Sequence, residues 1–268
     1  MIMVDSFGRK INYLRISVTD RCNLRCIYCM PPEGVKLIDH GKILTYDQIA
    51  DFTRVAVSKG IDKVRITGGE PLVRKNIATL VKMLSSIQGI KDLSMTTNGI
   101  LLEEYAHTLK ESGLMRVNVS LDTMDPAKYK EVTRGGDLFA VLRGLAAAKA
   151  AELSPVKINC VVEQNRHEAD AVDVAGFTDK MGYQVRFIPK MDLESGSFGV
   201  VDGGNGGDCA ACNRLRLTPS GMLKPCLFND MELDILSLGY ATAIEAAIAA
   251  KPSKGKCNHT GNFYNIGG

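Results

Sequence analysis

"RCNLRCIYCMPPEG", residues 21–34, places Cys22, Cys26 and Cys29 within eight positions, spaced by three residues and then two. The chain has only eight cysteines in 268 residues, and the chance expectation for this spacing is roughly 0.007 matches. Three clustered thiolates suit an iron–sulfur cluster, whose ligands are cysteine sulfurs. A 4Fe–4S cube needs four ligands, so three cysteines leave one iron open to a non-protein ligand. A structural zinc site would be closed by a fourth Cys or His, and no further Cys or His occurs before His40.

The residues before this loop read as a strand, and working outward from it gives the fold. Strands are expected over 12–17, 63–67, 93–97, 116–120, 156–162 and 184–188. Helices are expected over 45–59, 77–87, 101–111, 138–150 and 169–181. This alternation argues for βαβ units and a parallel sheet. Six units are too few for a closed eight-fold barrel, so the expected fold is α/β, a partial (β/α)6 barrel. The cysteine loop then hangs at the C-terminal end of the first strand, where active sites of such folds sit. After Ile188 a glycine-rich stretch leads to a second set, Cys209, Cys212 and Cys226, and a short helix over 241–250 follows. The expected division is a barrel over 1–190 and a short C-terminal extension over 191–268, which carries the second cluster and a Gly-Gly tail.

Side chains alternate across a strand. One parity carries Arg15, Lys63, Arg65, Arg116, Lys157 and Arg186; the other is apolar and must face the covering helices. The lumen is therefore expected to be cationic, with no carboxylate from the same strand positions. Like charges in a low-dielectric interior are costly unless an anion neutralises them, and guanidinium groups bind phosphate bidentately. The cavity reads as one for a polyanionic small molecule such as a nucleoside triphosphate. The plainer alternative is that some strands are edges with polar faces in water. That explains one such strand better than five.

Composition bounds the rest. Net charge is +3, with 45% hydrophobic and 24% charged residues, which gives no argument for nucleic acid. No run of ~18 apolar residues spans a membrane. No signal peptide is evident, so a cytoplasmic location is expected, where clustered cysteines read as metal ligands rather than disulfides. Cys160 lies on the apolar parity and reads as core; His107 and His167 read as solvated.

The CxxxCxxC loop with Tyr28 before its last cysteine resembles the radical S-adenosylmethionine (SAM) superfamily, in which the open iron takes the amino and carboxylate groups of SAM and reductive cleavage gives a 5'-deoxyadenosyl radical. "TGGEP" (67–71), "TTNG" (96–99) and "NVSLD" (118–122) follow successive strands. Each alone is an ordinary turn, but the resemblance places Gly68, Gly69 and Glu70 at the methionine amino group, and Thr97 and Ser120 against SAM. "CAACNRLRLTPSGMLKPCLF", together with "YLRISVTDRCNLRCIYCMP" and "KVRITGGEPL", resembles the GTP 3',8-cyclase family of molybdenum cofactor biosynthesis over nearly the whole chain.

That resemblance implies two 4Fe–4S clusters facing each other across the lumen. One is held by Cys22, Cys26 and Cys29, the other by Cys209, Cys212 and Cys226, with SAM as cosubstrate. It implies hydrogen abstraction from C3' of GTP and attack of the ribose radical on C8, giving (8S)-3',8-cyclo-7,8-dihydroguanosine 5'-triphosphate. Arg15, Lys63, Arg65, Lys157 and Arg186 then contact the triphosphate and ribose, Arg214 and Arg216 lie near the second cluster and the guanine edge, Met191 lines the adenine site, and the terminal Gly267 and Gly268 reach into the active site. A reductant such as flavodoxin or ferredoxin, and a monomer or homodimer, are also implied.

The sequence departs from the family in three ways. The segment between Ile188 and Cys209 is far shorter, Pro189 replaces an acidic residue, and Cys257 and His259 could add a metal ligand. Two alternatives stay open. One is a peptide-modifying radical SAM enzyme with an auxiliary cluster, because a shortened lid admits a larger substrate. The other is a non-catalytic metal-stabilised scaffold or electron carrier.

Overall fold

The strand β1 (Tyr13–Ser17) is flanked on both sides by parallel partners, β2 (Lys63–Thr67) and β7 (Arg214–Leu217), although nearly 200 residues separate it from β7. The computed structural model describes residues 3–191 and 198–256. Its sheet continues through β3 (Asp92–Thr97), β4 (Arg116–Ser120), β5 (Lys157–Val162) and β6 (Gln184–Pro189) on one side. On the other it continues through β8 (Met222–Lys224) and β9 (Leu233–Asp234). The order is β6-β5-β4-β3-β2-β1-β7-β8-β9. Pairings from β6 to β7 are parallel; β7–β8 and β8–β9 are antiparallel. The expected six-stranded partial barrel is therefore present, and the C-terminal region adds its strands to the same sheet.

The helices are α1 (Tyr46–Ser58), α2 (Ile77–Ser85), α3 (Leu102–Glu111), α4 (Pro126–Thr133), α5 (Leu138–Ala150), α6 (Ala169–Met181), α7 (Ile235–Leu238) and α8 (Tyr240–Ala249). Local chemistry fixes their starts. Thr45 and Gln48 form a reciprocal capping box on α1. Asp125 caps α4 by accepting from Ala127 N and Lys128 N, with Pro126 in the first turn. The reading of the sequence left α4 out; its Asp-Pro start was the available signal.

The apolar parity faces the helices as expected. Leu14, Ile16, Val64, Ile66, Leu93, Met95, Val117, Val119, Ile158, Cys160, Leu215 and Leu217 are fully buried in one continuous core. Burial of each large apolar side chain contributes about 1.5–3 kcal/mol. A one-residue slip in any strand would turn that set into the lumen, so the core fixes the register of the site. Among the described residues no helix is long and apolar enough to cross a membrane.

Helix α5 crosses the turn after β3 at Gly144, where an added Cβ would stand 2.5 Å from the Gly99 carbonyl oxygen. Helix propensity alone favours Gly144→Ala by about 1 kcal/mol, whereas overpacking costs about 1–3 kcal/mol. The close carbonyl decides the sign: Gly144→Ala lowers the unfolding free energy of the metal-free chain in denaturant titration, by about 1–2 kcal/mol. A gain of stability would contradict this packing.

Candidate active site

The first cysteine loop leaves β1 and is held from three sides. Below it, the turn after β2 meets it backbone to backbone: Gly69 N donates to Thr19 O (2.7 Å) and Glu70 N to Arg21 O (2.8 Å). A Cβ on Gly69 would lie 2.3 Å from Arg21 O. Gly69 is thus required by the neighbouring backbone, where the sequence suggested close approach of a ligand. From the side, the end of α4 forms a shelf. Ile27 N donates to Val132 O, Arg25 N to Thr133 O, and Arg134 Nη1 to the carbonyls of Arg25 (2.8 Å) and Met30 (2.7 Å). From β4, Asp122 accepts the Tyr28 hydroxyl (2.6 Å) and Val161 N (2.8 Å).

Glu70 serves this scaffold too. Its buried carboxylate accepts from Leu72 N, the Thr97 hydroxyl (2.7 Å) and Asn98 N (2.7 Å). Asn98 in turn donates to Asn23 (2.8 Å) and points Nδ2 at Cys22 Sγ (3.8 Å). Glu70 and the Thr97 hydroxyl thus tie the turns after β2 and β3 together beneath the cysteine loop. Ser120 is half-buried at the end of β4. Burial and neighbouring thiols push Cys26 up to about 12 and Cys29 to about 11, and burial also raises Cys22. Binding of iron by this set must expel protons.

Arg216, Arg15 and Arg65 are in direct register on β7, β1 and β2, and Ser94 and Arg116 continue the row on β3 and β4. One level towards the strand starts lie Arg214, Tyr13, Lys63 and Asp92. These rows border a cavity of about 420 Å³, whose described lining holds nine Lys and Arg residues against two carboxylates, Asp92 and Asp208. Arg65 is 5% exposed and Arg216 7%. Burial first, then neighbouring guanidinium groups, bring each down to about 9. Burial and the same neighbours lower Arg186 and Lys157. The Tyr13 ring lies beneath Arg15 and Arg65, with centroid distances of 5.6 and 5.4 Å.

One expectation of the lumen is corrected. Asp92 projects inward and holds Arg116 through Nε (2.9 Å) and Nη2 (2.6 Å), so Arg116 is neutralised. The strand begins one residue earlier than its sequence suggested, which brings Asp92 onto the inward parity of Ser94.

The second cysteine set lies at the opposite end of the strands. Cys212 precedes β7, which runs parallel to β1, whereas Cys22 follows the end of β1. The five residues of β1 between these levels span roughly 17 Å. Burial works to raise Cys212, but the Lys251 ammonium and the Arg214 guanidinium outweigh it and bring the thiol to about 6. Met191, implied at an adenine site, packs here against Leu227 and Phe228 beside Cys226. Gly267, Gly268, Cys257 and His259 lie outside the described residues.

Each set offers three thiols, the second in the cavity wall itself, and three thiols are a donor set that fits a 4Fe–4S cube. Among the described residues no three His, Cys, Asp or Glu side chains converge on a single-ion position; a cube takes each thiolate at a separate iron. The buried Asn118 Nδ2, one level beyond Arg116 towards the strand ends, has no hydrogen-bond partner among the described residues. The sequence reading passed over Asp92, Asn98, Asp122 and the α4 shelf, although Asp122 ends the strand motif and Asn98 sits in "TTNG".

Comparison with known proteins agrees with this geometry. Residues 16–177 match the radical SAM superfamily. The chain is 40% identical to the GTP 3',8-cyclase of Alkaliphilus oremlandii (strain OhILAs) over 300 aligned positions, covering 94% of each protein. It is 41% identical to that of Moorella thermoacetica, covering 92% of this chain and 91% of the relative. Methylornithine synthase shares the fold at TM-score 0.56 and 15% identity, over 68% of this chain and 54% of its own. So does anSMEcpe with bound AdoMet, at 0.53 and 23%, over 70% and 55%. The chain thus spans about half the length of those two structures.

Glu70 provides a test of the scaffold. Burial raises its carboxyl from 4.5 to about 7, against the opposing hydrogen bonds from Asn98, Leu72 and Thr97. Because the folded value is the higher one, the stability it confers is complete below pH 4.5 and is lost as pH rises through 7. Between those limits the unfolding free energy of the metal-free chain should fall by about 3 kcal/mol more than that of Glu70→Gln. Equal pH slopes in denaturant titrations would contradict the burial described.

Proposed function

The chain belongs to the radical SAM superfamily and, within it, to the GTP 3',8-cyclases, and from that premise we propose that it converts GTP to (8S)-3',8-cyclo-7,8-dihydroguanosine 5'-triphosphate on the way to molybdopterin. Its cofactors are a 4Fe–4S cluster and SAM at Cys22, Cys26 and Cys29, and a second 4Fe–4S cluster at Cys209, Cys212 and Cys226. Residues 1–190 supply the radical SAM barrel and 191–268 the second cysteine set and the tail. The clusters and SAM supply one chemistry when bound: reductive cleavage that generates the 5'-deoxyadenosyl radical.

One observation carries this reading: a row of inward guanidinium groups, Arg216, Arg15 and Arg65, stands between two sets of three cysteines at opposite ends of the same strands. A nucleoside triphosphate complements that row and the cavity beside it. Arg15, Lys63, Arg65, Lys157 and Arg186 hold the triphosphate and ribose by charge-assisted hydrogen bonds. Arg214 and Arg216 hold the base near the second cysteine set. Tyr28, fixed by Asp122, Gly69, Thr97 and Ser120 shape the SAM end; Gly267 and Gly268, outside the described residues, are assigned to the active site on the family resemblance alone. Arg116, held by Asp92, stiffens the wall. A triphosphate suits this cationic lining better than a peptide does, because guanidinium groups bind phosphate bidentately. Electrons come from a flavodoxin or ferredoxin, for which the exposed Cys29 and Ile27 present a landing point.

Arg65→Ala and Arg214→Ala are each expected to weaken GTP binding about ten- to hundredfold, since a hydrogen bond to a charged group is worth about 1.5–3 kcal/mol. Both should abolish cyclisation while leaving 5'-deoxyadenosine release from SAM. Product analysis by chromatography after anaerobic reconstitution checks this. Loss of deoxyadenosine release in step with cyclisation would contradict the assigned roles.

A further inference from the structure

The second cysteine set is assembled from separate stretches, with Cys209 and Cys212 before β7 and Cys226 after β8. A residue beyond both, Lys251 at the end of α8, ties them together. Its ammonium donates to the carbonyl of Arg214 (2.8 Å), two residues past Cys212, and to that of Pro225 (2.6 Å), which adjoins Cys226. A lysine ammonium has three N–H donors, so one remains after these two bonds. The groups facing it are the sulfur of Cys212, to which it hydrogen-bonds, and that of Cys226.

Lys251 is 3% exposed, and a buried charge is costly unless it is paired. Two neighbouring cations show how this protein meets that cost. Lys224, fully buried on β8, has Glu232 at 3.0 Å. Arg9 grips the carbonyls of Cys209 (2.8 Å), Pro252 (2.7 Å) and Ser253 (3.1 Å), and its charge is met by Asp5 at 2.6 Å. Among the described residues no carboxylate pairs with Lys251. Its counter-charge comes from the cysteine set, with Cys212 hydrogen-bonded to it.

We propose that Lys251 is a positioning residue of the second cluster: it fixes the separation of the two cysteine arms and places a positive charge against the cluster, which favours the reduced form. The proposal rests on the reading that Cys209, Cys212 and Cys226 hold a 4Fe–4S cluster. Reduction adds an electron to an already anionic assembly, so a buried cation beside the sulfurs raises the potential. Hydrogen bonds and charge at the ligand sulfurs are among the levers that set such potentials.

The test uses the full-length chain with Cys22, Cys26 and Cys29 all changed to Ala, so that bound iron reports the second set alone. After anaerobic reconstitution this background should hold about four irons per chain. Lys251→Gln keeps donors for the two carbonyls but removes the charge. It should retain iron and lose about tenfold in the reduction equilibrium, about 59 mV for one electron, in an EPR-monitored redox titration. Lys251→Arg should keep the parent potential, and Lys251→Met, which also breaks the tether, should lose iron that Lys251→Arg retains. A Lys251→Gln protein with full iron and an unmoved potential overturns the proposal. A background that binds no iron overturns the cluster reading beneath it, and the two failures are told apart by the iron assay.

Discussion

Arg216, Arg15 and Arg65 occupy the same level of three adjacent parallel strands, and like charges at that spacing cannot be buried together without an anion to share. Most of the site's layout follows from this. The apolar parity of β1, β2 and β7 is locked into the helical layer, so the three guanidinium groups have nowhere to turn but inward. The cavity they line carries a large excess of positive charge, and Asp92 relieves it only at Arg116. A polyanionic substrate suits a lining of this sign. Because β7 runs parallel to β1, the cysteines before one strand and those after the other fall at opposite ends of this row. Pairing of two distant strands thus sets both the binding site and the separation of its two reaction ends.

The end that carries the first cysteine loop is rigid for a different reason. Its loops are bonded backbone to backbone, and the few side chains involved, Glu70, Asn98, Asp122 and Arg134, bond to backbone or to each other. Glu70 and Asp122, the carboxylates at the centre of this network, are each held by more than one donor, which favours one arrangement. Cys26 stands among anionic and neutral groups, whereas Cys212 stands among cations. The two cysteine sets therefore differ electrostatically before any metal is bound, in keeping with different tasks.

Much of this was legible in the sequence because its physics is local. Period-two alternation revealed which of Leu14, Arg15 and Ile16 faces in, and the cysteine spacing marked both sets. What escaped was of two kinds. Some was a boundary: starting β3 at Leu93 hid Asp92, and passing over the Asp125–Pro126 cap hid the α4 shelf. The rest was long-range. No local pattern says that β7 pairs with β1 in register, that Gly69 abuts Arg21, or that Lys251 reaches the carbonyls flanking two cysteines. Such contacts depend on how the whole sheet closes around one core, and only the folded chain displays them.

The central claim is that a phosphate-bearing anion completes the guanidinium row. Calorimetric titration of the anaerobically reconstituted chain with GTP and with guanosine, at low and raised salt, tests it most directly. The account predicts that GTP binds far more tightly than guanosine and that added salt narrows the difference, because the triphosphate supplies the missing charge. Equal affinities for the two, unmoved by salt, would contradict it.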